Sequence, residues 1–154
     1  MEDFLKTQHG KEIILRGTYL SMAADVEWIL LMILAQCFKE NEQDLDNMYD
    51  KALNKFSLFE KIGAAQLGLI RYYPIVFKQH MDDFKMLSEL RDMRNSLGHG
   101  KIDWDENDTD IIWISETTPK GIEKKDYKYP HLFRKVENYR VSVMNFLNTI
   151  KDSL

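Results

Sequence analysis

One short segment combines the residue types that can cleave a phosphodiester bond. It runs from Arg91 to Gly100 and contains Arg94 and His99, five positions apart. An arginine can hold a phosphate through two parallel hydrogen bonds, and a histidine titrates near neutral pH and can transfer protons. The pair therefore suits RNA cleavage without a metal. His99 would take the proton from a ribose 2′-hydroxyl, and Arg94 would stabilise charge on the neighbouring phosphate.

The spacing places a condition on this hypothesis. On a regular α-helix, positions five apart point about 140° away from each other. Convergence of Arg94 and His99 therefore requires Gly98 to unwind the end of the helix, or a second copy of the site to face the first. A structural interpretation stays open beside it. Arg94 could pair with Glu89 or Asp92 at the surface, with His99 at a helix terminus that favours cations.

The six residues Arg94-Asn95-Ser96-Leu97-Gly98-His99 resemble the Arg-polar-x3-His signature of HEPN domains. The resemblance implies a helical bundle that is commonly a homodimer, with two copies of the motif facing each other across a cleft. It also implies a metal-independent and cofactor-independent endoribonuclease of a toxin–antitoxin, phage-defence or RNA-processing system. Arg94 and His99 would then be catalytic, with Asn95 orienting one of them. RNA would be the substrate, and an antitoxin or a nucleotidyltransferase would be a possible protein partner.

An acidic residue of the first long helix often supports the arginine in that family. Asp25, four residues after Ser21, is the first candidate here, and Glu27 is the second. An unpaired carboxylate would be costly to bury in so apolar a helix. The alternative is that both carboxylates lie on its one solvated face.

A basic segment covers residues 120–135 and interleaves cations with aromatic rings. Such a pattern suits single-stranded RNA, with phosphates on the cations and bases on the rings. A solvated charged hairpin is the alternative interpretation. The candidate RNA-binding residues are Lys124, Lys125, Lys128, Arg134 and Lys135.

Other site types find little support in the sequence. The acidic run 103–110 lacks the glycine and the glutamate that a calcium loop needs at its sixth and twelfth positions, so we expect an ordinary acidic turn. The histidines show no metal-ligand spacing, and no glycine-rich phosphate loop occurs. The sequence predicts no metal site.

Composition limits the class of protein. The chain has 154 residues, of which 44% are hydrophobic and 30% charged, which predicts one globular domain over 1–154. Cys37 is the single cysteine, which favours a reducing compartment. The longest apolar run, Trp28–Ala35, is shorter than the roughly 20 residues that span a bilayer, and the polar N-terminus is unlike a secretory signal. The net charge of −4 argues against general nucleic-acid coating. We expect a cytoplasmic protein without membrane association.

Hydrophobic periodicity places the motif among helices. A capping box at Ser57 and Glu60 opens one of them, and Gly98 and Gly100 are expected to end the helix that carries the motif. The predicted fold is mainly α: an up-and-down bundle of four to five helices, with a β-hairpin insertion at about 101–129 before the last helix. Helices are expected at about 3–38 (bent or broken near Gly10 and Gly17), 45–55, 58–73, 79–97 and 130–151, and the hairpin pairs about 110–117 with 122–128.

Overall fold

Helices make up most of the described chain. The structure, a computed structural model, describes residues 6–38, 55–108 and 110–154, without the side chains of residues 91, 94 and 95. The elements in chain order are α1 (Gln8–Cys37), α2 (Leu58–Tyr72), α3 (Pro74–His80), a 3₁₀ turn (Asp83–Leu87), α4 (Ser88–Met93), a π-helical turn (Arg94–His99), β1 (Lys101–Trp104), β2 (Ile111–Thr118), β3 (Gly121–Lys128) and α5 (Tyr129–Asp152).

Helix α1 runs without interruption, so the predicted break near Gly10 and Gly17 is wrong. Gly10 lies in the first turn, where its amide donates to Thr7 Oγ1 at 3.0 Å, and the low helix propensity of glycine matters little at such an end. The predicted start near Asp3 lies outside the described residues. By length and mean hydropathy (1.5), α1 could cross a membrane. Core helices pass the same test, and the apolar residues that recur every three or four positions along α1 are buried: Tyr19, Met22, Val26, Ile29, Leu30, Ile33, Leu34 and Cys37.

The capping box of α2 is confirmed. Ser57 Oγ accepts from the Glu60 amide at 3.3 Å, and the Ser57 amide donates to Glu60 Oε2 at 2.7 Å. Pro74 separates α2 from α3, as its fixed geometry requires. The helix predicted over 79–97 is instead divided into the end of α3, the 3₁₀ turn, α4 and the first part of the π turn. The helix predicted over 45–55 falls outside the described residues except for its last position.

A three-stranded antiparallel sheet in the order β1-β2-β3 precedes α5. The predicted hairpin is confirmed, because β2 pairs with β3 and the chain turns at Pro119 and Lys120. Gly121 follows this turn with φ of 122°, a conformation that residues with a side chain rarely adopt. Strand β1 was not predicted. It pairs with β2 so that Ile102 lies opposite Ile114.

The two faces of the sheet differ in burial and charge. Ile112 and Ile114 are fully buried and define the inner face. Because side chains alternate along a strand, Glu116 shares this face, and the register adds Lys125 opposite Ile114 and Tyr127 opposite Ile112. The outer face carries the alternate set, which includes Lys101, Asp103, Trp113, Lys124, Asp126 and Lys128.

Contacts divide the chain into two units, and the single-domain organisation stays a prediction. Unit one comprises Met1–Met22 and Glu89–Val141, and unit two comprises Ala23–Ser88 and Ser142–Leu154. The core of unit one includes Leu15, Tyr19, Met22, Leu90, Leu97, Ile112, Ile114 and Val136. The core of unit two includes Val26, Leu30, Ile33, Leu34, Leu69, Leu87, Val143 and Leu147. The Arg94–His99 segment, the sheet and the basic segment belong to unit one.

Candidate functional site

The Arg94–His99 segment forms a π-helical turn directly after α4. The predicted end of the helix at Gly100 is confirmed, and the Gly100 amide donates to the Ser96 carbonyl at 3.1 Å. Gly98 does not stop the helix, which continues through His99. A π turn is closed by hydrogen bonds between residues five apart. Backbone positions 94 and 99 therefore lie on successive turns, one nearly above the other, without the unwinding that an α-helix would need. Such turns are frequent at functional sites.

Arg16 of α1 holds the end of this turn. Its Nη1 donates to the Leu97 carbonyl at 2.5 Å and its Nη2 to the Gly100 carbonyl at 2.8 Å. Its Nε donates to Glu12 Oε1 at 2.8 Å, which fixes the guanidinium. The last carbonyls of a helix lack partners within the helix, and a cation there is favourable. Arg16 is thus a positioning residue that the sequence analysis missed.

Gly100 allows the sheet to lie close to the π turn. A Cβ at this position would be 2.3 Å from the Ser96 carbonyl oxygen and 2.8 Å from Ile114 Cγ2. Both distances are shorter than real Cβ atoms show, so a larger residue would force the turn and β2 apart. The glycine is required here by this close approach.

A polar chain links the turn to the inner face of the sheet. Ser96 Oγ donates a short hydrogen bond to Glu116 Oε1. Lys125 Nζ lies 3.6 Å from the same carboxylate oxygen, and only 13% of the Glu116 side chain is exposed. Glu116 was not among the predicted site residues. The alternation of Ile112, Ile114 and Glu116 along β2 places it on the inner face.

A cavity of about 290 Å³ lies within unit one beside this chain. Its polar lining combines residues of α4, the π turn, β3 and α5. These residues are Glu89, Asp92, Ser96, Lys125, Tyr127 and Lys135. Two of the predicted RNA-binding lysines thus line the same cavity as a residue of the Arg-polar-x3-His motif.

Of the predicted catalytic residues, His99 has a described side chain, whereas Arg94 and Asn95 are described by their backbone alone. His99 is exposed at the end of the π turn. Arg94 and Asn95 lie in the backbone of that turn, while their side chains fall outside the described part of the structure. Their roles, and the alternative pairing of Arg94 with Glu89 or Asp92, stay predictions. Both of those carboxylates line the cavity.

The basic segment does not form one continuous strip. Lys125 and Lys135 line the cavity, whereas Lys124 lies on the outer face of the sheet, with its Nζ 4.1 Å from the centroid of the Trp113 ring. Lys128 is on the same outer face. Arg134 is exposed on α5. The sheet therefore separates the predicted RNA-binding cations between its two faces.

The predicted supporting residues of α1 lie in different surroundings. Glu27 makes a short ion pair with Lys61 of α2, and Lys61 is buried with 7% exposure. The Glu27 charge is therefore compensated within unit two. Asp25 is half-buried, and Ser21 is exposed. Support of Arg94 by Asp25 stays a prediction.

The acidic run forms a local turn. Asp105 Oδ1 accepts hydrogen bonds from the amides of Asn107 at 2.8 Å and Asp108 at 2.9 Å, an arrangement typical of aspartate in loops. Within the described ranges, no group of three or more His, Cys, Asp or Glu residues is placed to hold a metal ion. Asp105 therefore binds the backbone of the turn, whereas Asp103 and Asp110 form ion pairs with Lys101 and Lys11.

Comparison with known proteins identifies no family for this chain. No protein-family model, no curated protein and no solved structure matches the chain.

Proposed function

We propose that this protein is a metal-independent endoribonuclease of the HEPN type. The ribose 2′-oxygen attacks the adjacent phosphorus while its proton passes to the imidazole of His99. The bond to the 5′-oxygen breaks and that oxygen is protonated, which leaves a 2′,3′-cyclic phosphate and a 5′-hydroxyl. Arg94 stabilises the charge on the phosphorane, and Asn95 holds the reacting groups in place.

The π turn is the observation that supports this proposal most directly. It stacks backbone positions 94 and 99 on successive turns, which removes the geometric objection raised by an α-helical spacing of five. His99 is exposed, as a group that meets a polymeric substrate must be. Arg16 holds two carbonyls at the end of the turn, so its backbone is fixed before any substrate arrives.

The remaining parts of the proposal follow from the HEPN resemblance. They are a bundle of four to five helices, a homodimer that places two motifs across one cleft, and a cytoplasmic role as a toxin or phage-defence component with an antitoxin or nucleotidyltransferase partner. The shared cleft requires self-association. Sedimentation across a wide concentration range measures this, and a monomer throughout would contradict the shared-cleft arrangement.

Labelled total RNA incubated with the purified protein in EDTA tests the activity. His99→Ala is the diagnostic variant, and His9→Ala is its matched control because His9 is an exposed histidine at the start of α1, outside the basic segment 120–135. We expect cleavage with cyclic-phosphate ends by the parent and by His9→Ala, and none by His99→Ala. Cleavage that disappears with EDTA, or that proceeds equally on DNA, would refute the mechanism.

A non-catalytic interaction module is the second candidate, and one exposed face favours it. Helix α2 presents Phe59, Leu67 and Ile70 to solvent with exposures of 54%, 69% and 47%. Their spacing places them along one side of the helix, opposite its buried residues. Exposed apolar surface of this kind marks interaction sites. On this reading, Leu67→Asp abolishes binding to a co-expressed nucleotidyltransferase or antitoxin partner, whereas His99→Ala leaves both that binding and RNA intact.

A further inference from the structure

The cavity beside the π turn has an apolar floor and a polar rim. The floor is formed by Met93, Leu97, Ile114 and Leu132. Its volume of about 290 Å³ lies just below the roughly 300–1,000 Å³ of ligand pockets. A small flat ring system with polar edges, such as one nucleobase, suits such a lining.

The charges of the rim favour a hydrogen-bond donor over a phosphate. Glu89 and Asp92 contribute two exposed carboxylates. Lys125 lies 3.6 Å from Glu116, which compensates its charge. Among the described side chains, Lys135 is the remaining cation of the lining. With Lys125 compensated, the two carboxylates disfavour an anion beside them at the rim, while Lys135 can meet a phosphate outside the cavity.

We propose that this cavity binds a guanine base of the RNA substrate. Unstacked bases of single-stranded RNA are read on their Watson–Crick edges. Guanine presents two parallel N–H donors there, N1–H and the 2-amino group, and a carboxylate accepts such a pair strongly because the hydrogen bonds are charge-assisted. Adenine offers an acceptor at N1 and would be repelled. The carboxylates of Glu89 and Asp92 would receive the donors, with the Tyr127 ring alongside the base.

This inference rests on the proposed function, because it names the base that lies next to the cleaved phosphate. Ser96 lines the cavity and is three residues from His99 in the same π turn. The sugar-phosphate backbone of an RNA whose base lies in this cavity would therefore pass the π turn. The cavity would select the nucleotide, and the Arg94–His99 pair would act on its phosphate.

A binding experiment tests the pocket without requiring cleavage. The methyl signals of Met93, Ile114 and Leu132 would be followed by NMR during titration with GMP, IMP and AMP. We expect saturable shifts of these methyls with GMP. IMP lacks the 2-amino group, so its affinity should be about tenfold lower, the effect of one hydrogen bond to a charged group. AMP should bind more weakly still.

Matched double variants identify the carboxylates. Glu89→Gln with Asp92→Asn should weaken GMP binding at least about tenfold. Glu123→Gln with Asp126→Asn changes the same residue types at exposed positions of β3 outside the cavity lining, and should leave it unchanged. Methyl spectra before titration establish that both variants are folded.

The results separate this inference from the nuclease proposal. GMP binding that depends on Glu89 and Asp92 supports the guanine pocket even if no RNA is cleaved. Equal shifts with GMP and IMP, unchanged binding by the Glu89/Asp92 variant, or no saturable shifts at millimolar nucleotide would overturn it. RNA cleavage in EDTA without guanine preference would overturn it too and leave the nuclease proposal standing.

Discussion

Replacing Arg16 by methionine tests whether this residue holds the π turn. Methionine preserves most of the apolar stem of the side chain but removes the donors to the Leu97 and Gly100 carbonyls. A hydrogen bond from a charged group is worth about 1.5–3 kcal/mol. Because 26% of the Arg16 side chain is exposed, water replaces part of what is lost. We therefore expect the two bonds together to contribute about 2–3 kcal/mol to the turn.

Native-state hydrogen exchange at the Gly100 amide is the assay. This amide donates to the Ser96 carbonyl at 3.1 Å, so its exchange reports opening of the end of the turn. A loss of 2–3 kcal/mol corresponds to an exchange rate about 30- to 150-fold higher in Arg16→Met. Arg134→Met is the matched control, since Arg134 is exposed on α5. An equal rate increase in the control, or no increase in Arg16→Met, would refute the positioning role.

Three other expectations concern stability and reactivity. Gly100→Ala should lower the unfolding free energy by about 1–3 kcal/mol in urea titrations, because its Cβ would meet a backbone oxygen at 2.3 Å. Gly63→Ala is the control and should not destabilise the protein, because the space around its Cβ is open. Equal effects of the two variants would contradict the close approach at Gly100. Hydrogen bonds from Ser57 lower the pKa of Glu60 below 4.5. The stabilisation that they provide is present above pH 4.5 and is lost as the pH falls through the lowered pKa. Glu60→Gln should therefore reduce the acid sensitivity of unfolding, and an unchanged pH profile would count against the capping box. Burial raises the pKa of Cys37 to about 11, so a thiol reagent at pH 8 should label it only after denaturation; rapid labelling of the native protein would show that this part of the core opens.

Local patterns explain the elements that were predicted correctly. Apolar residues that recur every three or four positions along α1 and α5 are buried in the structure, except Phe133, which is half-buried. Burial of a helix face imposes that period. The capping box at Ser57 and Glu60 uses only neighbours in sequence. The hairpin turn likewise depends on adjacent residues. Each of these features could be predicted because its determinants lie within a few positions.

The features that were missed depend on distant residues. Arg16 reaches carbonyls that are more than 80 positions away, so no spacing in the sequence reveals it. The π turn was not predicted, because Gly98 in the sequence indicates an end to the helix. Strand β1 was not predicted because it is only four residues long and leads into an acidic run. The alternation of its inward residues Ile102 and Trp104 is too short to indicate a strand. The Ser96–Glu116 contact joins two segments through tertiary packing.

The number of residues in the π turn also determines which side chains of β1 face the core. A π turn contains one residue more than the α-helical turn it replaces, and only Gly100 separates it from β1. Since strand side chains alternate between faces, loss of one residue from the turn would present Asp103 to the core where Ile102 now packs opposite Ile114. The length of the Arg94–His99 segment is therefore constrained by the sheet as well as by any chemistry, and insertions or deletions there would misalign both.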